Sequence, residues 1–95
     1  MPHEIRFDEA AEETFRSFDN ELKIEIAIRL SSLSDHPLEL SRPSPTPPYP
    51  PGFQLYDFTH VDEGKRLRIS FLFQFDEPEI LIVRRIGIVH LKDRS

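Results

Sequence analysis

Apolar side chains recur at two different intervals in the first third of the chain. Residues 3–7 alternate between polar and apolar side chains, which predicts a short strand. Asp8 can then cap a helix, since the apolar residues that follow recur at helical spacing until a polar break. Asp19 or Asn20 caps a second helix, which should end before Pro37 because the residue before a proline avoids the helical conformation. The buried stripe of this second helix is predicted to be Leu22, Ile26, Leu30 and Leu33, and Ile24, Ala27 and Ile28 are predicted to widen it.

Prolines replace this periodic pattern in residues 38–52. Six of them lie between positions 43 and 51, and they exclude helix and interior strand because proline has no amide hydrogen. The segment is therefore predicted to be a stiff, extended connector inside a single domain that spans residues 1–95. Arg42, Pro45 and Pro48 also have the spacing of a peptide ligand of SH3 domains, although the connector is the simpler interpretation.

The last third of the chain predicts three strands joined by two turns. Its strands are assigned to residues 53–60, 64–75 and 79–91, where aromatic and β-branched side chains dominate. Turns are assigned to residues 61–64 and 76–78, which hold polar residues, glycine and proline. The predicted fold is α+β in the order β-α-α-β-β-β, with a helical hairpin packed on one face of an antiparallel sheet.

These turns decide which side chains share a face of the predicted sheet. They place Phe58 opposite Leu67, and Phe73 opposite Leu81, on the side that meets the helices. Arg85 falls on that helix side as well, near the end of the sheet. The other side, called the open face below, is predicted to carry polar and cationic residues. These are Asp57, Thr59, Arg66, Arg68, Ser70 and Arg84, with His90 at the rim.

Charge and composition restrict the kinds of function that this protein can have. The net charge is −5, so the chain as a whole does not attract nucleic acid, but its bases concentrate after residue 64 and any anion site should lie there. The absence of cysteine excludes disulfides and thiolate metal sites, and no metal or cofactor is expected. No apolar run reaches the roughly 20 residues that span a bilayer, and the first residues do not form a signal peptide. We therefore expect a soluble, cytoplasmic protein without membrane partners.

Three local motifs resemble the RelE/ParE superfamily of toxins from bacterial type II toxin–antitoxin modules. Leu33 and Pro37 bound a segment similar to the family's Leu-x-x-x-Pro helix end. Residues 67–71, Leu-Arg-Ile-Ser-Phe, resemble its Tyr-Arg-Val-x-Tyr strand, and Ile86-Gly87 resembles the start of its Ile-Gly-His-Arg ending. The size and the order of elements agree with the superfamily too, so the resemblance covers nearly the whole chain.

The resemblance implies a toxin that a cognate antitoxin holds inactive. In the ribonuclease members, messenger RNA is cut on the ribosome: a 2′-hydroxyl attacks the neighbouring phosphate while basic side chains stabilise the charge. Arg68 matches the family's strand arginine, Arg84 is its neighbour on the predicted face, and His90 could transfer a proton. These three are the candidate catalytic residues. The candidate substrate-binding residues are Lys65, Arg66 and Ser70.

The chain departs from the family pattern at its C-terminal end. Ile88 and Val89 stand where the family has His-Arg, and no tyrosine follows them. Two alternatives therefore stay open beside the ribonuclease: a gyrase-directed toxin, and an inactive module of the same fold that binds protein through its open face. Arg68 has the alternative role of a structural ion pair with Asp57, and His90 that of a solvated residue at a strand end. The sequence does not predict the oligomeric state.

Overall fold

The computed structural model describes residues 3–44 and 52–91, which form a five-stranded sheet with helices on one face. The elements are β1 Glu4–Phe7, α1 Glu9–Arg16, α2 Asn20–Asp35, α3 Pro37–Leu40, β2 Arg42–Pro43, β3 Phe53–Asp62, β4 Lys65–Glu77 and β5 Ile80–Leu91. The strand order is β1-β5-β4-β3-β2. The predicted α+β class is confirmed, but the sheet is mixed, because β1 runs parallel to β5 while the other neighbours are antiparallel. None of the helices described is long and apolar enough to cross a bilayer.

Both long helices begin at the aspartates that the sequence pattern indicated. The side chains of Asp8 and Asp19 each accept a hydrogen bond from the backbone amide three residues later, at 3.1 and 2.9 Å. Caps of this kind stabilise a helix by about 1 kcal/mol each. Helix α2 ends at Asp35, and Pro37 opens the single turn of α3. The predicted helix boundaries are therefore confirmed.

The core lies between α1, α2 and the sheet. Its fully buried large side chains are Ile26, Leu33, Ile69, Phe71, Phe73, Leu81 and Val83. Phe15 and Phe18 of the first helical region are partly buried and pack against this cluster. The ring of Phe71 lies 6.0 Å from that of Tyr56 and 5.8 Å from that of Phe58, so the centre of the core is aromatic.

The turn between β3 and β4 is shorter than predicted. It contains only Glu63 and Gly64, which have positive φ angles of 47° and 78° and so match the tight hairpin turns that suit twisted strands. The pairing is shifted by two residues as a result, and Phe58 lies opposite Ile69 instead of Leu67. An even shift keeps every side chain on its predicted face, because side chains alternate with a period of two.

A β-bulge interrupts the pairing of β4 with β5. Phe73 lies opposite Val83, and its predicted pairing with Leu81 is wrong by two residues. Leu72 lies opposite Arg85, so Arg84 is an extra residue without a partner across the ladder. An inserted residue reverses the alternation of everything beyond it, an effect that the periodic pattern did not include.

The bulge sets the faces of three residues of β5, and the predictions for His90 and Arg85 are corrected. Ile86 lies opposite Phe71 and is 8% exposed, so it belongs to the core. His90 lies opposite Leu67, on the helix side, and its predicted place at the rim of the open face is wrong. Arg85 is on the open face instead of the helix side. The turn before β5 also differs slightly, since it lies at residues 78–79 and not at 76–78.

The predicted connector at 38–52 is partly regular. Residues 38–40 belong to α3, and Pro43 lies in the short edge strand β2, opposite Gln54. The expectation of an extended segment without helix is thus wrong for residues 38–40, which are helical, whereas Pro43 lies in an edge strand, a position that tolerates proline. Pro45 and Pro48, two members of the SH3-ligand pattern, lie outside the described residues.

Candidate functional site

The face of the sheet turned away from the helices carries the candidate site. Strands β2 to β5 all contribute to it, since alternate residues of each point to this side. Its polar and charged members include Arg42, Asp57, Thr59, Arg66, Arg68, Ser70, Gln74, Arg84 and Arg85. At the other edge of the sheet, β1 adds Glu4 and Arg6, which form an ion pair with each other.

Asp57 forms an ion pair with Arg42. Nη2 of Arg42 donates to Oδ2 of Asp57 at 3.0 Å, across the β2–β3 edge. The alternative pairing of Asp57 with Arg68 is therefore wrong: the two-residue register shift places Ser70 opposite Asp57 and Thr59 opposite Arg68. Arg68 therefore does not form the ion pair with Asp57 that would give it a purely structural role.

The side chains of Arg66 and Arg68 are exposed and form no hydrogen bond or ion pair with any described residue. They lie two residues apart on one strand, so their Cα atoms are separated by roughly 7 Å. Lys65 is also exposed at the start of β4, but alternation along the strand places it on the helix side of the sheet. Unpaired like charges at this spacing repel one another, and a phosphate between them would replace repulsion by charge-assisted hydrogen bonds.

The bulge places two consecutive arginines on the open face with different surroundings. Nε of Arg84 donates to Oε1 of Gln74 at 2.8 Å, and its Nη1 lies 3.7 Å from the carboxylate of Asp8. Arg85 is exposed and unpaired with any described residue. Arg84 is therefore held in place, whereas Arg85 is free to bind.

The sequence pattern did not place Arg85 on the open face, although the pair of adjacent arginines indicated an irregular strand. Two adjacent arginines in an alternating strand cannot both avoid the core unless the strand contains a bulge. Burying a guanidinium without a partner costs several kcal/mol, so the pair itself indicated an irregularity at that point.

A cavity of about 270 Å³ opens on the face beside Arg85. Its lining residues are Leu55, Ser70, Leu72, Arg85, Ile86 and Gly87. Ser70 and Gly87 lie opposite each other on neighbouring strands and form part of its floor.

The predicted site residues are only partly brought together. Arg66, Arg68 and Ser70 share the open face of β4, whereas Lys65 alternates to the helix side, so its predicted place in the site is wrong. Arg84 is the unpaired residue of the bulge beside Leu72 and Phe73, roughly 15 Å further along the sheet than Arg68. His90 is on the other side of the sheet. Val89, which stands where the resemblance expects a second arginine, lies opposite Arg68 on the open face.

The arrangement can bind and stabilise negative charge, but it lacks an imidazole. Every described histidine lies away from the open face, and the buried one, His60, has Nδ1 2.6 Å from a carboxylate oxygen of Glu25 at the helix–sheet interface. Among residues 3–44 and 52–91, no group of histidine and carboxylate side chains has a geometry that could hold a metal ion.

Comparison with known proteins gives structural matches only. No family model matches the chain, and no curated protein matches it. The RelBE2 toxin–antitoxin complex of Mycobacterium tuberculosis superposes with a TM-score of 0.64 at 18% identity, covering 92% of this chain and 98% of the other. A doubly arginine-substituted RelE toxin of E. coli in the free state gives 0.63 at 19%, covering 92% and 83%. The intact E. coli RelBE complex gives 0.60 at 20%, covering 90% and 94%. This chain therefore has the RelE-like toxin fold.

Proposed function

We propose, from the RelE-like fold and the charge of its open face, that this chain is the toxin of a toxin–antitoxin pair and that the open face binds RNA. One observation supports the proposal that the open face binds RNA. Three exposed guanidinium groups without a partner among the described residues, those of Arg66, Arg68 and Arg85, share one face of a protein whose net charge is −5. Guanidinium groups form the strongest and most directional hydrogen bonds to phosphate.

The distribution of ion pairs supports a binding role for these three residues. All other arginines in the described residues form an ion pair with a carboxylate. They are Arg6, Arg16, Arg29, Arg42 and Arg84. A chain with 17 acidic residues supplies carboxylates almost everywhere, so cations left without one on a single face favour an external anion.

The proposed reaction is cleavage of ribosome-bound messenger RNA. Arg68, in the middle of β4, would stabilise the charge that develops on the phosphate as the 2′-hydroxyl attacks it, while Arg66 would hold the flanking backbone. Electrostatic stabilisation by one donor contributes roughly 10²–10³ in rate. Proton transfer by a positioned side chain contributes a further ~10²–10⁴, and His90 does not lie on this face to supply it. We therefore propose a slow nuclease that acts in the cytoplasm.

The proposed partner is an antitoxin that contacts α2. Ile24 and Ile28 are each 62% exposed and are one helical turn apart, so they form an apolar stripe on the surface. Two of the similar structures are toxin–antitoxin complexes, which supports a partner of this class. An amphipathic segment laid along such a stripe would bury both side chains.

Growth arrest tests the toxin proposal directly. Induced expression of the chain alone should stop growth, and co-expression with the adjacent reading frame should restore it. Arg68→Ala should abolish the arrest, because it removes the central phosphate contact. Its matched control is Arg16→Ala, another exposed arginine, which should leave the arrest unchanged. Both substitutions should alter the free energy of unfolding by less than about 0.5 kcal/mol, since both side chains are exposed.

Mapping of 5′ ends on ribosome-bound message then separates cleavage from binding. New ends that depend on Arg68 would support the nuclease. Growth arrest without new 5′ ends would favour the second candidate, a binding module of the same fold. The absence of an imidazole on the open face supports this alternative, because a nuclease would use such a group for proton transfer. A wild type that is harmless on its own would contradict the toxin proposal.

A further inference from the structure

We propose that the cavity beside Arg85 is a subsite for one unpaired nucleobase. This inference rests on the proposed RNA-binding function. It gives a role to a part of the open face that the phosphate contacts do not use. The cavity lies next to the row of unpaired cations on β4 but is lined by different chemistry. Leu55 and Leu72 supply aliphatic surface, and Arg85 stands at the side.

The size of the cavity fits a single ring system. Its volume of about 270 Å³ falls just below the roughly 300–1,000 Å³ of sites that take drug-sized ligands. A phosphate prefers a polar, cationic cradle, whereas the aliphatic floor here favours a flat, poorly hydrated group. Leu72 is only 5% exposed although it lies on the open face, so this part of the face is already well packed around it.

Gly87 keeps the cavity open. Its φ angle is not among the positive ones, so the backbone at this position does not require glycine. A Cβ atom added there would meet only the Cβ of Ser70, at an ordinary contact distance of 3.9 Å. A larger side chain is therefore sterically possible at this position, and its absence leaves space directly above the strand pair.

Arg85 provides the directional contacts that an aliphatic floor cannot. Its planar guanidinium can stack on the face of a base or donate two parallel hydrogen bonds to its edge. Arg68 lies on the same face, roughly 13 Å away along β4. RNA whose backbone follows the unpaired cations of β4 would thus bring a base to the cavity, provided that the base is not paired with another strand.

Anisotropy titrations with two labelled probes test this assignment. One probe is a heptamer of uridine, and the other is a heptamer of abasic ribose phosphate with the same charge. The wild-type chain should bind the uridine probe about 5-fold or more tightly, at the lower end of what one stacked base contributes, since the floor is aliphatic. Gly87→Leu fills the cavity without changing charge and should bring this ratio close to one. Arg85→Lys keeps the charge but loses the planar fork, and it should lower the ratio too.

Arg66→Lys is the matched control, because it lies on the same face outside the cavity. It should weaken both probes and keep the ratio of the wild type. Thermal melts establish that each variant is folded, and Gly87→Ala replaces the leucine variant if that one is unstable. A ratio in Gly87→Leu or Gly87→Ala equal to that of the wild type would overturn the base subsite while leaving RNA binding intact. A wild type that binds neither probe would overturn the proposed function and this inference together.

Discussion

Truncation of Phe71 is the most direct test of the face assignment on which the site depends. Phe71 lies on β4 between the open-face residues Ser70 and Leu72, but its own side chain is completely buried. Its ring contacts those of Tyr56 and Phe58 at centroid distances of 6.0 and 5.8 Å. Phe71→Ala would therefore remove the middle ring of an aromatic cluster and leave a cavity under the helices.

The expected loss is large compared with the stability of a small domain. Substitution of a buried phenylalanine by alanine costs roughly 3–5 kcal/mol, because lost transfer energy and the residual cavity add. Domains of this size have a free energy of unfolding of about 5–15 kcal/mol. At about 4–8 °C per kcal/mol, the melting temperature should fall by roughly 12–40 °C. The two aromatic contacts place the expected value in the upper half of this range.

Urea titration and thermal melting of three chains measure the effect. The wild type is compared with Phe71→Ala and with Arg68→Ala, three residues away on the other face of the same strand. The arginine variant should stay within about 0.5 kcal/mol of the wild type. A loss below 1 kcal/mol in the phenylalanine variant, or equal losses in the two variants, would refute the face assignment and with it the grouping of Arg66, Arg68 and Arg85.

Two further predictions concern the turn and the antitoxin surface. Glu63→Asn should stabilise the fold by up to about 1 kcal/mol, because asparagine tolerates the left-handed conformation that Glu63 adopts and favours this turn type. A lowered melting temperature would contradict the two-residue turn. Ile24→Glu combined with Ile28→Glu should change stability little but abolish co-purification with the adjacent gene product. The control Ala10→Glu adds a charge on α1 and should leave co-purification unchanged. Co-purification that survives the double substitution would exclude α2 as the contact surface.

The local structure of this chain could be predicted because local chemistry decides it. Asp8 and Asp19 cap their helices through contacts three residues away, which sequence spacing alone reveals. The apolar stripe of α2 likewise identified its buried residues, Ile26 and Leu33 among them, but Ile24 and Ile28, which were predicted to widen it, are exposed. The parallel pairing of β1 with β5 joins segments far apart in the chain, and no periodicity reports such a pairing.

Apart from Lys65, the predicted site is accurate up to the point where the strand alternation breaks. Arg66, Arg68 and Ser70 lie on β4, where the register error was two residues, and an even error leaves the faces unchanged. His90 and Arg85 lie beyond the bulge in β5, where the error is odd, and both were assigned to the wrong face. One inserted residue thus removed an imidazole from the candidate site and added a guanidinium to it.

The bulge follows from the two adjacent arginines. A regular strand would send either Arg84 or Arg85 toward the helices, and a guanidinium buried without a partner costs far more than the one or two ladder hydrogen bonds that a bulge gives up. With the bulge, Arg84 reaches Asp8 and Gln74, which fixes the strand, and Arg85 projects free over the cavity. The chemistry of the open face changes with it. The open face has no histidine for proton transfer, but it has the unpaired guanidinium of Arg85. We therefore propose binding of single-stranded RNA for this face, and cleavage is the property that must be measured.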